Sequence, residues 1–316
     1  MTYRPHIVVL DPVSSNALAD LRQYHEVTVR THPGHDELLA LAAEAEALVV
    51  RSGVRITADV IRAGQRLRVV ARAGSGTDNI DLAACREAGV QVFNIPGASA
   101  PAVAELAIGL MLAVTRNIAF ADRQVRCGLW DKPNLAGPGL QDRILGMVGL
   151  GPIGSRTAEL GAAFGMRVLA AVARPSEERD ERLRGRHIER VELPRLLEAS
   201  DMVCLAVPLT EETEGLIGAP ELALMRNDSY LINISRGGVV DEQALFHALR
   251  EGTIAGAALD VHEHESGISG LSELDNVVLT PHIGATTTDT QERVGRLLVQ
   301  ELRTVLAGGS ATNSVC

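Results

Sequence analysis

The sequence has few aromatic residues and no excess of positive charge. Its 316 residues include one tryptophan, three tyrosines and four phenylalanines, which fits short buried strands and alanine-rich helices. The net charge of −10 argues against a nucleic-acid or membrane surface, because either partner requires a basic face. A local basic pocket for a small anion remains compatible with this composition.

Cysteines are also few, and they form no CxxC pair and no spacing typical of a zinc site. They are Cys85, Cys127, Cys204 and Cys316. We expect reduced thiols in a reducing compartment. The N-terminal segment has no extended apolar region, and no stretch approaches the ~18 apolar residues of a membrane span. The expectation is therefore a cytoplasmic protein with no membrane and no nucleic-acid partner.

Short apolar runs alternate with helical stretches along the chain, whose length suits two domains. The first hundred residues contain HIVVL, ALVV, LRVVARAG and VQVFNIPG. After Arg143 follow ILGMVG, MRVLAAV, DMVCLAV, SYLINI, AGAALDV and NVVLTP. This alternation predicts α/β domains built on mostly parallel sheets. The apolar stretch 102–115 predicts a buried helix, and 286–306 predicts an amphipathic helix.

A glycine-rich loop, GLGPIG at 149–154, follows a predicted strand and begins a predicted helix. Its glycines permit a tight turn and let backbone N–H groups and the helix N-terminus approach a pyrophosphate. The next strand, MRVLAAV, completes the context expected of a dinucleotide site. The loop therefore predicts binding of NAD or NADP.

The choice between NAD and NADP depends on the end of that next strand. NAD sites usually offer Asp or Glu to the ribose there, but this chain has Val172, followed by a turn containing Arg174 and Ser176. An arginine can accommodate a 2′-phosphate, which favours NADP over NAD. The alternative is that Arg174 is a solvated loop residue that stacks on adenine, with NAD bound less selectively.

Three further strand ends carry polar residues that suit hydride transfer to a 2-oxo acid. Arg236 could hold a carboxylate through two parallel N–H donors. His282 could protonate the new alkoxide, and Glu265 could keep the imidazole charged and oriented, which makes a reversible acid/base near neutral pH. Their occurrence at successive strand ends predicts a catalytic group rather than three unrelated surface residues.

Glu265 has competitors in the same HEHE run. They are His262, Glu263 and His264. The two histidines of an HxH pair could also bind a metal, but no third ligand stands at a suitable spacing. We therefore expect no metal.

The chain resembles the D-isomer-specific 2-hydroxyacid dehydrogenases, and among them the phosphoglycerate dehydrogenases, over nearly its whole length. The resemblance is carried by VVRSGVRITADVI, VVARAGSGTDNIDL, AVAELAIGLML, GMVGLGPIG, CLAVPLTEET, LINISRGGVVDEQAL, GAALDV and VVLTPHIGATT. It implies an oxidoreductase that moves a hydride between a nicotinamide cofactor and C2 of a small anionic 2-hydroxy or 2-oxo acid, such as 3-phosphoglycerate. It also implies catalytic roles for Arg236, Glu265 and His282.

The resemblance implies further contacts with cofactor and substrate. For the cofactor they are Gly149, Gly151, Pro152, Ile153, Gly154, Arg174, Ser176, Val207, Pro208, Thr213, Ile234, Asp260, His282 and Gly284. For the substrate they are Arg51, Arg72, Ser75, Gly76, Asn79, Arg236 and His282. Backbone amides of Ser75 and Gly76 would hold the carboxylate, and Asp260 would face the nicotinamide amide. Arg51 and Arg72 suit a phosphate or second carboxylate, or alternatively a salt-bridged scaffold.

The family architecture implied is two Rossmann-like, doubly wound α/β domains with an active-site cleft between them. Residues 1–98 plus 287–316 would form the substrate-binding domain and 99–286 the dinucleotide-binding domain, with hinge closure excluding water. The buried helix at 102–115 would lie in a homodimer interface. An alternative function on the same fold is a nicotinamide-sensing, corepressor-like binding protein.

The chain departs from the family pattern at several positions, which affects the expected substrate. Besides Val172, Ala206 stands where members often carry histidine, and Ser266 replaces a common proline. Because the chain stops near Cys316, we expect no C-terminal regulatory domain and no serine feedback.

Overall fold

The fold is taken from a computed structural model that describes residues 3–173, 185, 188–264 and 270–316. The chain forms two compact units. Unit 1 comprises Met1–Ser99 and Thr286–Cys316, and unit 2 comprises Ala100–Ala285.

Unit 1 is built on a sheet that has five parallel strands among the described residues. They are β1 (His6–Val9), β2 (Glu26–Val29), β3 (Ala47–Val50), β4 (Val69–Arg72) and β5 (Gln91–Asn94). Their spatial order is β2-β1-β3-β4-β5. The chain winds in opposite directions on the two sides of the β1/β3 pair, and ligands bind beyond the carboxyl ends of strands at such a point.

Unit 2 is built on a sheet with seven parallel strands among the described residues. They are β6 (Ile144–Val148), β7 (Arg167–Ala171), β8 (Ile188–Arg190), β9 (Met202–Leu205), β10 (Tyr230–Asn233), β11 (Gly256–Leu259) and β12 (Val277–Leu279). Their order is β12-β11-β10-β9-β6-β7-β8. In the opposite direction the order is β8-β7-β6-β9-β10-β11-β12. This is the Rossmann order 3-2-1-4-5-6 with one additional strand at its end, and the winding direction of the chain reverses between β6 and β9. The predicted pair of doubly wound parallel sheets is confirmed.

Helices connect the strands and cover the sheets. In chain order they are α1 (Ser15–Tyr24), α2 (His35–Glu44), α3 (Ala58–Ala63), α4 (Leu82–Ala88), α5 (Ala100–Thr115), α6 (Ile118–Arg126), α7 (Pro152–Ala163), α8 (Leu193–Ala199), α9 (Ala219–Leu224), α10 (Glu242–Arg250) and α11 (Thr288–Leu306). Side chains of Ser14, Asp241 and Thr287 accept a first-turn N–H and so fix the starts of α1, α10 and α11. The amphipathic helix predicted at the end of the chain is α11, which belongs to unit 1.

Both faces of each sheet are buried, which explains the uninterrupted apolar runs of the strands. In β1, Ile7 and Val9 pack in a cluster that includes Leu298 of α11. The alternate residue Val8 packs on the opposite face with Leu38 of α2. Since successive side chains point to opposite faces, each strand of this kind contributes to two cores.

The predicted buried helix is α5, with ten buried residues, and several of them lie in a core cluster of unit 2. In the described part of the chain, no single helix is long and apolar enough to cross a membrane. Among the described helices, the pair α5 and α6 is long and apolar enough when the two are taken together, but they are bent by 61° relative to each other.

One buried polar side chain in unit 1 stands out, because His25 is 8% exposed and neither ring nitrogen has a hydrogen-bond partner in the structure. Burial lowers the pKa of His25 below its ordinary value, and the nearby Arg303 and Arg4 lower it further, while Glu46 opposes them. The folded chain therefore holds this imidazole neutral.

The His25 environment predicts a loss of stability at acid pH. Below about pH 6.5, the unfolded chain binds a proton that the folded chain does not bind, so the free energy of unfolding falls as pH falls. We expect His25→Gln to flatten this dependence in urea unfolding measured between about pH 6.5 and pH 5. His247→Gln, which removes an exposed histidine, is the matched control. The same slope in wild type and His25→Gln would contradict the prediction.

Candidate active site

The carboxyl ends of five neighbouring strands in unit 2 lie in one register row. The row runs through Val148, Leu205, Asn233, Leu259 and Leu279. The loops after these residues therefore all leave from the same sheet edge. They carry the glycine loop and the Arg236 and His282 turns that the sequence analysis singled out.

The glycine loop has a backbone geometry that requires glycine. Gly149 has φ +92°, and a Cβ on it would lie 2.6 Å from the carbonyl oxygen of Ala206. A Cβ on Gly154 would collide with the carbonyl oxygen of Gly149. Gly151 is the N-cap of α7, and Pro152 stands in its first turn. Because amides of a helix's first turn have no intrahelical partner, this cradle fits a pyrophosphate.

The loop after β9 lies beside the glycine loop. The side chain of Val207 borders the space at Gly149. Thr213 Oγ1 donates to the carbonyl oxygen of Pro208 at 2.6 Å and accepts the Thr210 N–H at 2.8 Å, which closes the turn. Ile153 is half-buried, and Ile234, next along the sheet edge, is buried.

Arg236 is presented by a turn that Asn233 braces. Asn233 Oδ1 accepts the N–H and the hydroxyl of Ser235 at 3.0 and 2.7 Å, and its Nδ2 donates to the Arg236 carbonyl at 3.1 Å. Arg236 itself is half-buried, and its Nη1 donates to the Ser235 carbonyl at 2.7 Å. Gly237 packs so closely on the His262 carbonyl that a Cβ would collide with it. The turn is therefore fixed from both sides.

His282 is held in a turn that Asp260 organises. Asp260 is 2% exposed. Its Oδ1 accepts the Thr280 hydroxyl at 2.7 Å and the Ile283 N–H at 2.9 Å, and its Oδ2 accepts the Gly284 N–H at 2.8 Å. His282 has φ +54° and donates its N–H to the Asp260 carbonyl at 2.8 Å. Both carboxylate oxygens of Asp260 thus bind the His282 turn, and the contact of Asp260 with the nicotinamide amide stays a prediction from the resemblance.

Two competitors of Glu265 belong to a network with Glu242, a buried residue that the sequence analysis did not single out. Glu242 Oε1 accepts the Glu263 N–H at 2.8 Å and lies 3.9 Å from His262 Nδ1. His262 Nε2 is 3.0 Å from the Thr280 carbonyl oxygen. His264 is exposed. Within the described ranges, no three His, Cys, Asp or Glu side chains are grouped to hold a metal ion.

Three candidate residues lie outside the described residues. They are Arg174, Ser176 and Glu265. Their roles stay predictions from the sequence.

The substrate candidates of unit 1 gather at the carboxyl edge of its own sheet. Arg72 ends β4, is 6% exposed, and its Nη1 would lie 2.5 Å from a Cβ on Gly74. The Ser75 carbonyl accepts Asn94 Nδ2 at 2.5 Å, and Ser75 and Gly76 are both half-buried. A side chain at position 74 would therefore have to displace the buried guanidinium of Arg72.

Arg51 and Asn79 lie at the same sheet edge and are joined by a hydrogen bond. Asn79 is buried, and its Nδ2 donates to the carbonyls of Arg51 at 2.7 Å and Val54 at 2.6 Å. The amide that the sequence analysis assigned to substrate thus supports the loop that carries Arg51.

Comparison with known proteins identifies the family. A sequence model described as D-isomer specific 2-hydroxyacid dehydrogenase, NAD binding domain, matches residues 108–284. A hydroxypyruvate reductase from Thermotoga maritima is 42% identical over 306 residues, which cover 95% of this chain and 97% of that protein. The chain belongs to the D-isomer-specific 2-hydroxyacid dehydrogenase family. The family resemblance and the oxidoreductase class expected from the sequence are confirmed.

Two further relatives of this dehydrogenase agree with that result. A D-3-phosphoglycerate dehydrogenase from Methanocaldococcus jannaschii is 40% identical over 310 residues, but the match covers 98% of this chain and only 59% of that protein. A crystal structure of a Thermus thermophilus protein superposes with a TM-score of 0.91 at 35% identity, covering 98% of this chain and all of the other. The comparisons lend no support to the nicotinamide-sensing alternative.

The hydrogen bonds of Asp260 predict a large loss of stability when its side chain is removed. Asp260→Ala removes the buried acceptor of three hydrogen bonds from the His282 turn of the dehydrogenase, so we expect the free energy of unfolding to fall by about 3 kcal/mol. Urea unfolding of wild type and variant measures it. Asp275→Ala, an exposed aspartate of the same unit paired with Arg123, should leave the midpoint unchanged. Equal midpoints for all three proteins would show that Asp260 does not hold the turn.

Proposed function

We propose that this dehydrogenase transfers a hydride between a nicotinamide cofactor and C2 of a small anionic 2-hydroxy or 2-oxo acid. The observation that supports the proposal most strongly is the register row of unit 2. It brings a dinucleotide cradle, a half-buried arginine and a histidine to one sheet edge. The sequence similarity to a hydroxypyruvate reductase is consistent with this chemistry.

Each catalytic residue has a distinct task in the proposed reaction. When bound, the nicotinamide supplies or accepts the hydride at C2. Arg236 binds the carboxylate of the acid through two N–H donors. In reduction, the protonated His282 gives its proton to the oxygen on C2. In oxidation, the neutral imidazole takes that proton from the hydroxyl. Glu265 stabilises the imidazolium form and orients the ring.

The cofactor would be held by the glycine cradle and the loops beside it. The absence of an acid at Val172, together with Arg174, favours NADP over NAD. Val172 directly follows β7, whose last residue Ala171 is in register with Val148 before the glycine loop. Val172 therefore lies next to the cradle, where a side chain can select between the 2′-hydroxyl of NAD and the 2′-phosphate of NADP.

Backbone amides of Ser75 and Gly76 would bind the carboxylate of the substrate together with Arg236. Arg51 and Arg72 favour an acid with a second anionic group, such as 3-phosphoglycerate. Unit 1 would then be the substrate-binding domain and unit 2 the dinucleotide-binding domain.

A direct assay tests this function. Loss of reduced-nicotinamide absorbance is followed with hydroxypyruvate, 3-phosphohydroxypyruvate and glyoxylate, each with NADH and with NADPH. Turnover of at least one acid is expected, with higher kcat/KM for NADPH. No turnover with any pair would refute the proposed function, and a higher kcat/KM for NADH would overturn the cofactor preference.

Arg236→Ala separates substrate chemistry from cofactor binding. Because the guanidinium acts on the acid and its transition state, kcat/KM should fall by about a thousandfold. NADPH affinity, measured by calorimetry, should remain unchanged. Arg250→Ala, an exposed arginine at the end of α10, is the control. Full activity in Arg236→Ala would remove this residue from the site.

The proposed compartment is the cytoplasm, as the cysteines suggest. All four are free thiols in the structure. Burial raises the pKa of Cys85 to about 12 and also raises that of Cys204, so both stay protonated. The free thiols, rather than disulfides, suit a reducing compartment.

The dehydrogenase is further proposed to be a homodimer with α5 in its interface. Ten residues of α5 are buried within the chain, and the exposed side chains of the next helix, α6, would extend the interface. Four of the large apolar side chains that are exposed in the described structure are found on α6 and just after it. They are Ile118, Val125, Leu129 and Trp130, the last 83% exposed. A second copy of the chain would cover such a patch, because C2 interfaces place the same surface of both subunits against each other.

Trp130→Ser tests this interface. The substitution removes the largest exposed apolar side chain of the patch, so we expect sedimentation to change from dimer to monomer. Phe164→Ser, at an exposed apolar residue at the end of α7, should leave the dimer intact. A wild-type protein that sediments as a monomer would exclude the dimer.

A further inference from the structure

Asp11 is a buried acid that the proposed reaction does not use. It lies two residues beyond β1, at the point where the sheet of unit 1 reverses its winding, and it is 2% exposed. Its Oδ2 accepts the backbone N–H of Arg51 at 2.5 Å, and its Oδ1 lies 3.5 Å from His32 Nε2. Because burying a carboxylate is costly unless it is well hydrogen-bonded, these contacts are what keeps Asp11 in place.

The effect of Asp11 is to fix the backbone of Arg51 on one side, while Asn79 fixes it on the other. Asp11 binds the N–H of Arg51, and Asn79 Nδ2 binds its carbonyl oxygen at 2.7 Å. Both side chains are buried, and they come from different loops of unit 1. With both peptide groups held, the direction in which the Arg51 side chain leaves the loop is also set.

The surroundings leave Asp11 little freedom to move. A Cβ on Gly53 would collide with Asp11 Oδ1 and would lie 2.7 Å from His32 Nε2. His32 adopts φ +54° and donates its N–H to the Leu10 carbonyl at 3.1 Å. A side chain at position 53 would have to displace Asp11 or His32, so Gly53 leaves room for the contact of Asp11 with the Arg51 N–H.

We infer that Asp11 is a positioning residue that aims Arg51 at a second anionic group of the substrate and thereby sets the preference for phosphorylated over unphosphorylated 2-oxo acids. This inference rests on the proposed function, in which Arg51 binds that group. A guanidinium on a fixed backbone loses less conformational entropy on binding, so fixing it strengthens binding without adding a contact.

The test compares 3-phosphohydroxypyruvate with hydroxypyruvate, which differ only in the phosphate. Arg51→Ala should raise KM for the phosphorylated acid about tenfold relative to hydroxypyruvate, with similar kcat. Asp11→Ala should raise the same ratio about fivefold. Because both act through one guanidinium, the double variant should show no more than the Arg51→Ala effect.

Controls separate positioning from general damage. Asp36→Ala replaces an exposed aspartate in the first turn of α2 and should leave the KM ratio unchanged. Asp11→Asn keeps the shape but weakens the acceptor, and it should raise the ratio about threefold. If Asp11→Ala does not fold, Asp11→Asn alone decides, and an unchanged ratio in it overturns the inference.

The outcomes distinguish this inference from the proposed function. Turnover by wild type together with additive effects of Asp11→Ala and Arg51→Ala would overturn the positioning role and leave hydride transfer standing. An unaltered ratio in Arg51→Ala would do the same. If wild type reduces glyoxylate but neither of these two acids, the inference fails and hydride transfer stands. If wild type reduces none of the three acids with either cofactor, the proposed function fails, and the inference fails with it.

Discussion

The parallel register of the strands is the constraint on which the candidate site depends. Parallel strands have their carboxyl ends at the same edge, so loops distant in sequence leave the sheet side by side. In unit 2 the row from Val148 to Leu279 spans more than a hundred positions of sequence. No loop has to reach far, because the backbone hydrogen bonds of the sheet have already brought the chemical groups together.

A second device recurs at these edges: a buried carboxylate that accepts N–H groups from a neighbouring loop. Asp260 does so for the His282 turn, Glu242 for the segment at Glu263, and Asp11 for Arg51. A carboxylate suits this task because it offers several acceptor sites to donors that would otherwise be buried without partners. In the described residues, these acids therefore act on the loops that present the candidate ligand-binding side chains.

The fold and the candidate site differ in how far they could be predicted from sequence. The interior strands and the glycine loop were predictable, because burial on two faces gives apolar runs and a tight phosphate turn demands glycine. The strands β2 and β8 were not predicted, because they are short and contain charged residues such as Glu26 and Arg190 in place of an apolar run. Single polar residues at or just after the end of a strand, such as Asn233 or Asp11, have no spacing that marks them in the sequence. Their roles follow from tertiary contacts alone.

The division of unit 1 into two stretches of chain has a consequence for biosynthesis. The first 99 residues supply its whole five-stranded sheet, but α11, which packs Leu298 and Leu302 onto one face, begins only at Thr288. During translation that apolar face stays uncovered until all of unit 2 has emerged from the ribosome. Nascent chains of this protein thus expose an incomplete core for most of their synthesis. Exposed apolar surface of this kind binds chaperones or aggregates.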